Sequence, residues 1–232
     1  MRSFAVAAMF IAVIRAEEHG PFTEDFVNFL KQKPTENKVL IDAVTTYGKS
    51  GTFGGKATAD EQEKGHKSSE LYGITYGTRD IHTAGDIRIS CNYILSLRRL
   101  IEAVLEYTKS EKVDIIAHST GVTLARKAIH GGAATLSGET CTIGDSLAGK
   151  NDYSKVLKQI NAEAEIEPKI NFIASVYTKN DHVLGADSKV WGRRTAVIPG
   201  SDFEFEFDDK KHYELKDSTV SMQYDLVTKH RR

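Results

Sequence analysis

A serine, an aspartate and a histidine in this sequence stand where a nucleophile, an orienting acid and a general base are needed. Ser119 lies within "KVDIIAHSTGVTLARKAIHGG", residues 112–132. Before it, Val113 to Ala117 is short, apolar and β-branched, as a buried strand should be. After it, Val122, Leu124, Ala125, Ala128 and Ile129 recur at near-helical spacing until Gly131-Gly132 supplies a stop. A sharp strand-to-helix turn lifts its central side chain into a cleft and tolerates only small flanking residues. The usual form is G-x-S-x-G; here Ala117 replaces the first glycine and Gly121 keeps the second. The new helix also aims its N-terminal amides at the serine, where an oxyanion would form. A serine at a helix start is equally a capping residue, so Ser119 alone leaves both uses open.

An activated serine needs a base to take its proton and an acid to orient that base, and on α/β sheets they follow in the order Ser, Asp or Glu, His. "VYTKNDHVLG" places Asp181 a few residues past a strand ending near Tyr177. "DDKKHYELKDST" places His212 in a polar loop before the last helix. The competitors fit less well. Asp187 lies deeper in its loop, and Asp208 and Asp209 have no strand before them. His182 adjoins the acid, His230 is nearly terminal, and His118 belongs to the turn itself.

The elements that must position these residues alternate along the chain. Helices are expected over 22–31, 87–108, 153–164 and 218–229, besides the one after Ser119. Strands are expected over 38–45, 70–75, 113–117, 169–177 and 195–198, with a glycine-rich loop at 48–55. This alternation implies a mostly parallel sheet covered by helices on both faces, with ligands beyond the carboxyl ends of the strands. The 232 residues, 40% of them hydrophobic, suffice for one sizeable core.

Composition excludes several classes of function. Lys and Arg number 31 against 32 Asp and Glu, so no basic excess points to nucleic acid. Two cysteines, Cys91 and Cys141, are too few and too far apart for a zinc site; they can pair only if the fold brings them together. At the N-terminus, Arg2 precedes the apolar run Phe4 to Ile14, and Ala16 offers a cut site. That is the pattern of an export leader over 1–16, followed by a single domain over 17–232 and an extracellular destination. The run is too short for a transmembrane segment, and nothing later is longer.

Taken together, "GHKSSELYGITYG" (65–77), "CNYILSLRRLIEAVLEYT" (91–108), the Ser119 stretch, "SVYTKNDHVLG" (175–185) and "HYELKDST" (212–219) resemble the class 2 triacylglycerol lipases. This α/β-hydrolase family includes small bacterial lipases and a secreted nematode branch, and the likeness covers most of the chain after about residue 20. It implies a minimal α/β-hydrolase fold and cofactor-free hydrolysis of lipid esters, with transient contact to a lipid interface. It also implies Ser119 as nucleophile, Asp181 as acid and His212 as base, with the amides of Thr120 and Val44 forming the oxyanion hole.

Two departures from the family pattern bear on activity. Where the family has a His-Gly pair before the oxyanion donor, "VLIDAVTTYG" has Asp42-Ala43. Alanine lacks the backbone freedom of glycine, and Asp42 puts a carboxylate near a developing anion. The stretch 142–153 is compressed, with only "SLAGKN" (146–151) resembling the family's loop between nucleophile and acid. Alternative readings are a catalytically weak relative that binds lipid or another apolar ligand, and an acyltransferase or thioesterase using the same residues.

Overall fold

The computed structural model describes residues 8–11, 22–41, 70–74, 91–130, 158, 160–162, 170–190 and 192–230. The chain forms two compact units, Met1–Gly144 and Asp145–Arg232.

In the first unit, α1 (Glu24–Gln32) starts at Thr23, whose hydroxyl accepts from the Phe26 amide at 3.4 Å. Glu24 and Asp25 in its first turn complement the helix dipole. Its apolar face buries Phe26 and Leu30, and the Phe26 ring meets Phe22, Tyr72 and Tyr107 edge-on. Helix α2 (Cys91–Thr108) packs its buried Ile94, Leu97, Leu100, Ala103 and Val104 in the same core. Cys91 is disulfide-bonded, and the chain holds one other cysteine, Cys141, which lies outside the described residues.

Helix α3 (Thr120–His130) packs on α2. The Arg98 guanidinium of α2 donates to the Ala128 and Ile129 carbonyls at 3.0 and 3.1 Å. It thereby satisfies acceptors that a helix end otherwise leaves open.

The sheet of this unit is parallel, in the order β2 (Leu71–Gly73), β1 (Ala8–Ile11), β3 (Asp114–Ala117). Strand β3 ends at Ala117, as the sequence predicts, and begins at Asp114, one residue later than expected. The middle strand, β1, comes from within the apolar N-terminal run. Ile11 stands level with Ala117, two residues before Ser119.

The strand expected at 38–45 is not found where it can be seen: Lys38 to Ile41 are helical. The reason lies in the bonds of Asn37. The Asn37 side chain donates to the Leu30 carbonyl and accepts from Arg99, both at 2.7 Å. The Asn37 carbonyl then accepts from the Leu40 and Ile41 amides, which starts a turn and buries Leu40. Residues 42–45, the loop 48–55 and the stretch 142–153 lie outside the described residues. Of the helix expected at 153–164, residues 158 and 160–162 are described and are helical, with Ile160 buried.

In the second unit, β4 (Ala174–Thr178) runs parallel to β7 (Phe203–Phe207), with Ala174 opposite Phe203 and Thr178 opposite Phe207. Between them, β5 (Lys189–Val190) and β6 (Arg193–Arg194) form a small antiparallel pair. The strand expected at 195–198 is a loop instead. The Ile198 amide donates to the Ser175 hydroxyl at 2.9 Å, and the Ser201 hydroxyl to the Ile198 carbonyl at 2.8 Å. These bonds curl the chain before β7, whose F-E-F-E-F alternation sends the glutamates to solvent.

Two helices close the unit: α4 (His212–Ser218) and α5 (Val220–Lys229), burying Leu215, Val220, Leu226 and Val227. His212 is therefore the first residue of a helix rather than part of a loop. Among the described residues, no helix is long and apolar enough to cross a membrane.

Candidate active site

Ser119 occupies the turn between β3 and α3 with φ 56°, the left-handed region that side chains with a Cβ seldom enter. Such strain at one residue is the mark of a sharp strand-to-helix reversal. The capping use of this serine is not adopted. The Gly121 amide donates to the His118 carbonyl, and the Val122 amide to the Ser119 carbonyl, each at 3.0 Å. Backbone acceptors thus take the donors that a capping hydroxyl would serve. Thr120 opens the helix, so its amide lies outside the intrahelical ladder, at the positive end of the dipole. Val44, the other expected donor, lies outside the described residues.

Asp181 and His212 meet in the second unit. His212 Nδ1 is 2.7 Å from Asp181 Oδ2, and both side chains are buried. The sheet makes this contact possible. Because β4 and β7 are parallel, the segments that leave them emerge at the same edge. The Lys179 amide continues the pairing to the Phe207 carbonyl at 2.8 Å. The Thr178 hydroxyl clamps the Lys210 carbonyl at 2.6 Å, two residues before His212. The Lys211 amide donates to Glu214 Oε2 at 2.9 Å and sets the first turn of α4.

The carboxylate is held as firmly on its own side. Asp181 Oδ1 accepts from the Val183 and Leu184 amides, each at 2.8 Å, in an Asx-type turn. The Gly185 amide returns to the Asp181 carbonyl at 3.0 Å, and Gly185 needs φ +98° to do so. Burial alone would push the Asp181 carboxyl up. The His212 bond, the Leu184 and Val183 amides and the imidazole's charge outweigh it and hold the carboxyl below its ordinary range. An ionised carboxylate only accepts, so Nδ1 must carry the proton, and in the neutral ring Nε2 carries the lone pair. That is the tautomer a general base for a hydroxyl requires.

The rival acids and bases are occupied elsewhere. The exposed Asp187 pairs with Lys189 at 3.2 Å, Asp208 with Lys179 at 2.8 Å, and Asp209 with Lys210 at 3.7 Å. His230, at the end of α5, lies against Phe172. His182 and Tyr213, which the sequence reading did not select, place their rings against the His212 imidazole. Their only signal in the sequence is adjacency, each being the next residue after a member of the pair.

A profile described as Lipase (class 2) matches residues 39–153 and 139–225, most of the chain. The chain belongs to the class 2 lipase family. The first matched segment contains Ser119, and the second contains Asp181 and His212. The two overlap over 139–153, the neighbourhood of the compressed stretch, whereas β1 lies outside both. No curated protein matches the chain. Membership implies lipase or esterase hydrolysis, and the helices and small parallel sheets agree with an α/β fold.

Proposed function

We propose that this class 2 lipase family member is a serine hydrolase of lipid esters, with Ser119 as nucleophile, His212 as base and Asp181 as acid. The observation that carries the reading is the buried hydrogen bond between Asp181 and His212. His212 Nε2 takes the Ser119 proton as the hydroxyl attacks the ester carbonyl. Asp181 holds the productive tautomer and stabilises the imidazolium that forms. The tetrahedral oxyanion is met by the Thr120 amide, with Val44 as second donor. His212 then protonates the departing alcohol, and water cleaves the acyl-enzyme by the same route. No cofactor takes part.

The proposed substrate class is a carboxylic ester of a fatty acid, following the family. Val183, next but one to the acid, is the one large apolar side chain exposed among the described residues, at 51%. It offers an acyl chain or lipid surface a contact beside the acid. We also propose secretion, supported by the leader pattern over 1–16 and by the bonded Cys91, since disulfides persist in oxidising compartments. Ala8–Ile11 then has two competing fates, because a cut after Ala16 removes β1 from between β2 and β3.

The test is turnover of a soluble p-nitrophenyl ester and of an emulsified triacylglycerol. Wild type should hydrolyse both, and Ser119→Ala and His212→Ala should lose both while remaining folded. Folded wild type that binds lipid but turns over neither substrate would overturn the reading in favour of an apolar-ligand binder.

A further inference from the structure

We propose that His182 and Tyr213 are positioning residues that fix the plane of the His212 imidazole and shield its bond to Asp181. The proposal deepens the serine hydrolase reading and rests on it for its kinetic part. Taken by itself, the Asp181 hydrogen bond fixes one point on the imidazole and not the tilt of its ring, to which two further rings contribute. The Tyr213 ring stands 5.0 Å from the His212 ring at 88°, and the His182 ring 6.4 Å away at 84°. His182 and Tyr213 also meet each other, at 5.7 Å and 69°, so the three rings close a triangle. All three contacts are edge-to-face, the arrangement that aromatic quadrupoles favour.

The placement of the two rings is set by the same backbone that sets the pair. His182 sits inside the turn whose Val183 and Leu184 amides bind Asp181, so the turn that holds the carboxylate also aims the His182 ring. Tyr213 follows His212 in the first turn of α4, which the Lys211–Glu214 bond fixes. His182 is itself exposed and Tyr213 half-buried, whereas His212 and Asp181 are buried. His182 thus stands on the solvent side of the cluster. An exposed side chain packed on a buried base contributes little to the core, so its removal should leave the fold intact.

His182→Ala, His182→Phe, Tyr213→Leu and Tyr213→Phe separate ring packing from other roles. A single aromatic contact, if lost wholly from the transition state, corresponds to about 2- to 13-fold in rate, so His182→Ala should lower kcat on a soluble ester by a factor in that range. KM should stay unchanged, because neither ring is assigned to substrate binding. His182→Phe should restore most of the loss, and Tyr213→Phe should match wild type where Tyr213→Leu does not. Melting temperature should stay within a few degrees throughout. A second readout does not depend on catalysis: the low-field proton resonance of His212 Nδ1–H, assigned by its loss in His212→Ala. In His182→Ala it should broaden through faster exchange with water, and in His182→Phe it should return.

An unchanged kcat together with an unchanged resonance in His182→Ala would overturn the proposal, as would a loss that His182→Phe fails to restore. If wild type turns over no ester, the hydrolase reading fails, and the resonance comparison still decides the positioning role.

Discussion

Replacing Ser119 by glycine should make the protein more stable and inactive at once. At φ 56° the Ser119 Cβ crowds the following carbonyl, a cost of roughly 1–2 kcal/mol that glycine does not bear. Glycine gives some of this back, because its freer unfolded chain costs roughly 0.4–1 kcal/mol. No capping bond is lost, since the Gly121 and Val122 amides already bond to backbone carbonyls. The net gain is therefore between roughly 0 and 1.5 kcal/mol, or a rise of up to about 5 °C in Tm for a domain of this size. Ser119→Ala is the control: it removes the hydroxyl but keeps the Cβ, and so should melt with wild type. Urea and thermal unfolding of the three proteins read the difference, with ester turnover measured alongside. Both variants should be inactive, and only the glycine variant stabilised. A glycine variant less stable than the alanine one would show that no left-handed strain is stored at this turn.

Other predictions follow from the acid–base pair and the N-terminus. Asp181→Asn should lower kcat by about 10³–10⁴-fold by favouring the wrong tautomer. Asp187→Asn, whose exposed carboxylate pairs with Lys189, should stay within about twofold, inside the small range expected of exposed substitutions; kinetics on a soluble ester would show the reverse ranking if Asp187 were the acid. The folded Asp181 carboxyl titrates below its unfolded value of about 3.9. Its contribution to stability is thus fully present above that pH and disappears as pH falls through the folded value. The gap in unfolding free energy between wild type and Asp181→Asn should accordingly be widest near pH 6 and shrink at pH 3; a gap that grows on acidification would contradict the ionised pair. For export, N-terminal sequencing of protein collected from the medium of secreting cells should begin at Glu17. An intact Met1 on the active species would instead keep Ala8–Ile11 as a permanent strand.

Much of the proposed site rests on residue types in order, because the proposed chemistry fixes them. A serine flanked by Ala117 and Gly121 between an apolar strand and a helical period admits few geometries. Asp181 and His212 were legible as positions, but their meeting depends on β4 lying parallel to β7. The F-E-F-E-F strand that makes this happen carries a period-two alternation, yet the apolar run at 195–198 is the stronger strand signal in the sequence. Its half-exposed phenylalanines read less like a core strand than the apolar run before Pro199. The helical turn at Lys38 to Ile41 was illegible for another reason. Val39, Leu40 and Ile41 favour a strand, and only the tertiary bonds of Asn37 to Leu30 and Arg99 override that preference. His182 and Tyr213 carry no signal beyond adjacency to the pair, since ring packing leaves no trace in spacing.

Fluorophosphonate labelling tests the central claim most directly, because the reagent reacts readily with a serine that an adjacent base has activated. Intact mass followed by peptide mapping should find one phosphonyl group on Ser119 in wild type. Ser119→Ala should carry none, and His212→Ala should label more slowly by orders of magnitude. Folded wild type that stays unlabelled, or that labels elsewhere with Ser119 untouched, would contradict the assignment of Ser119 as the nucleophile.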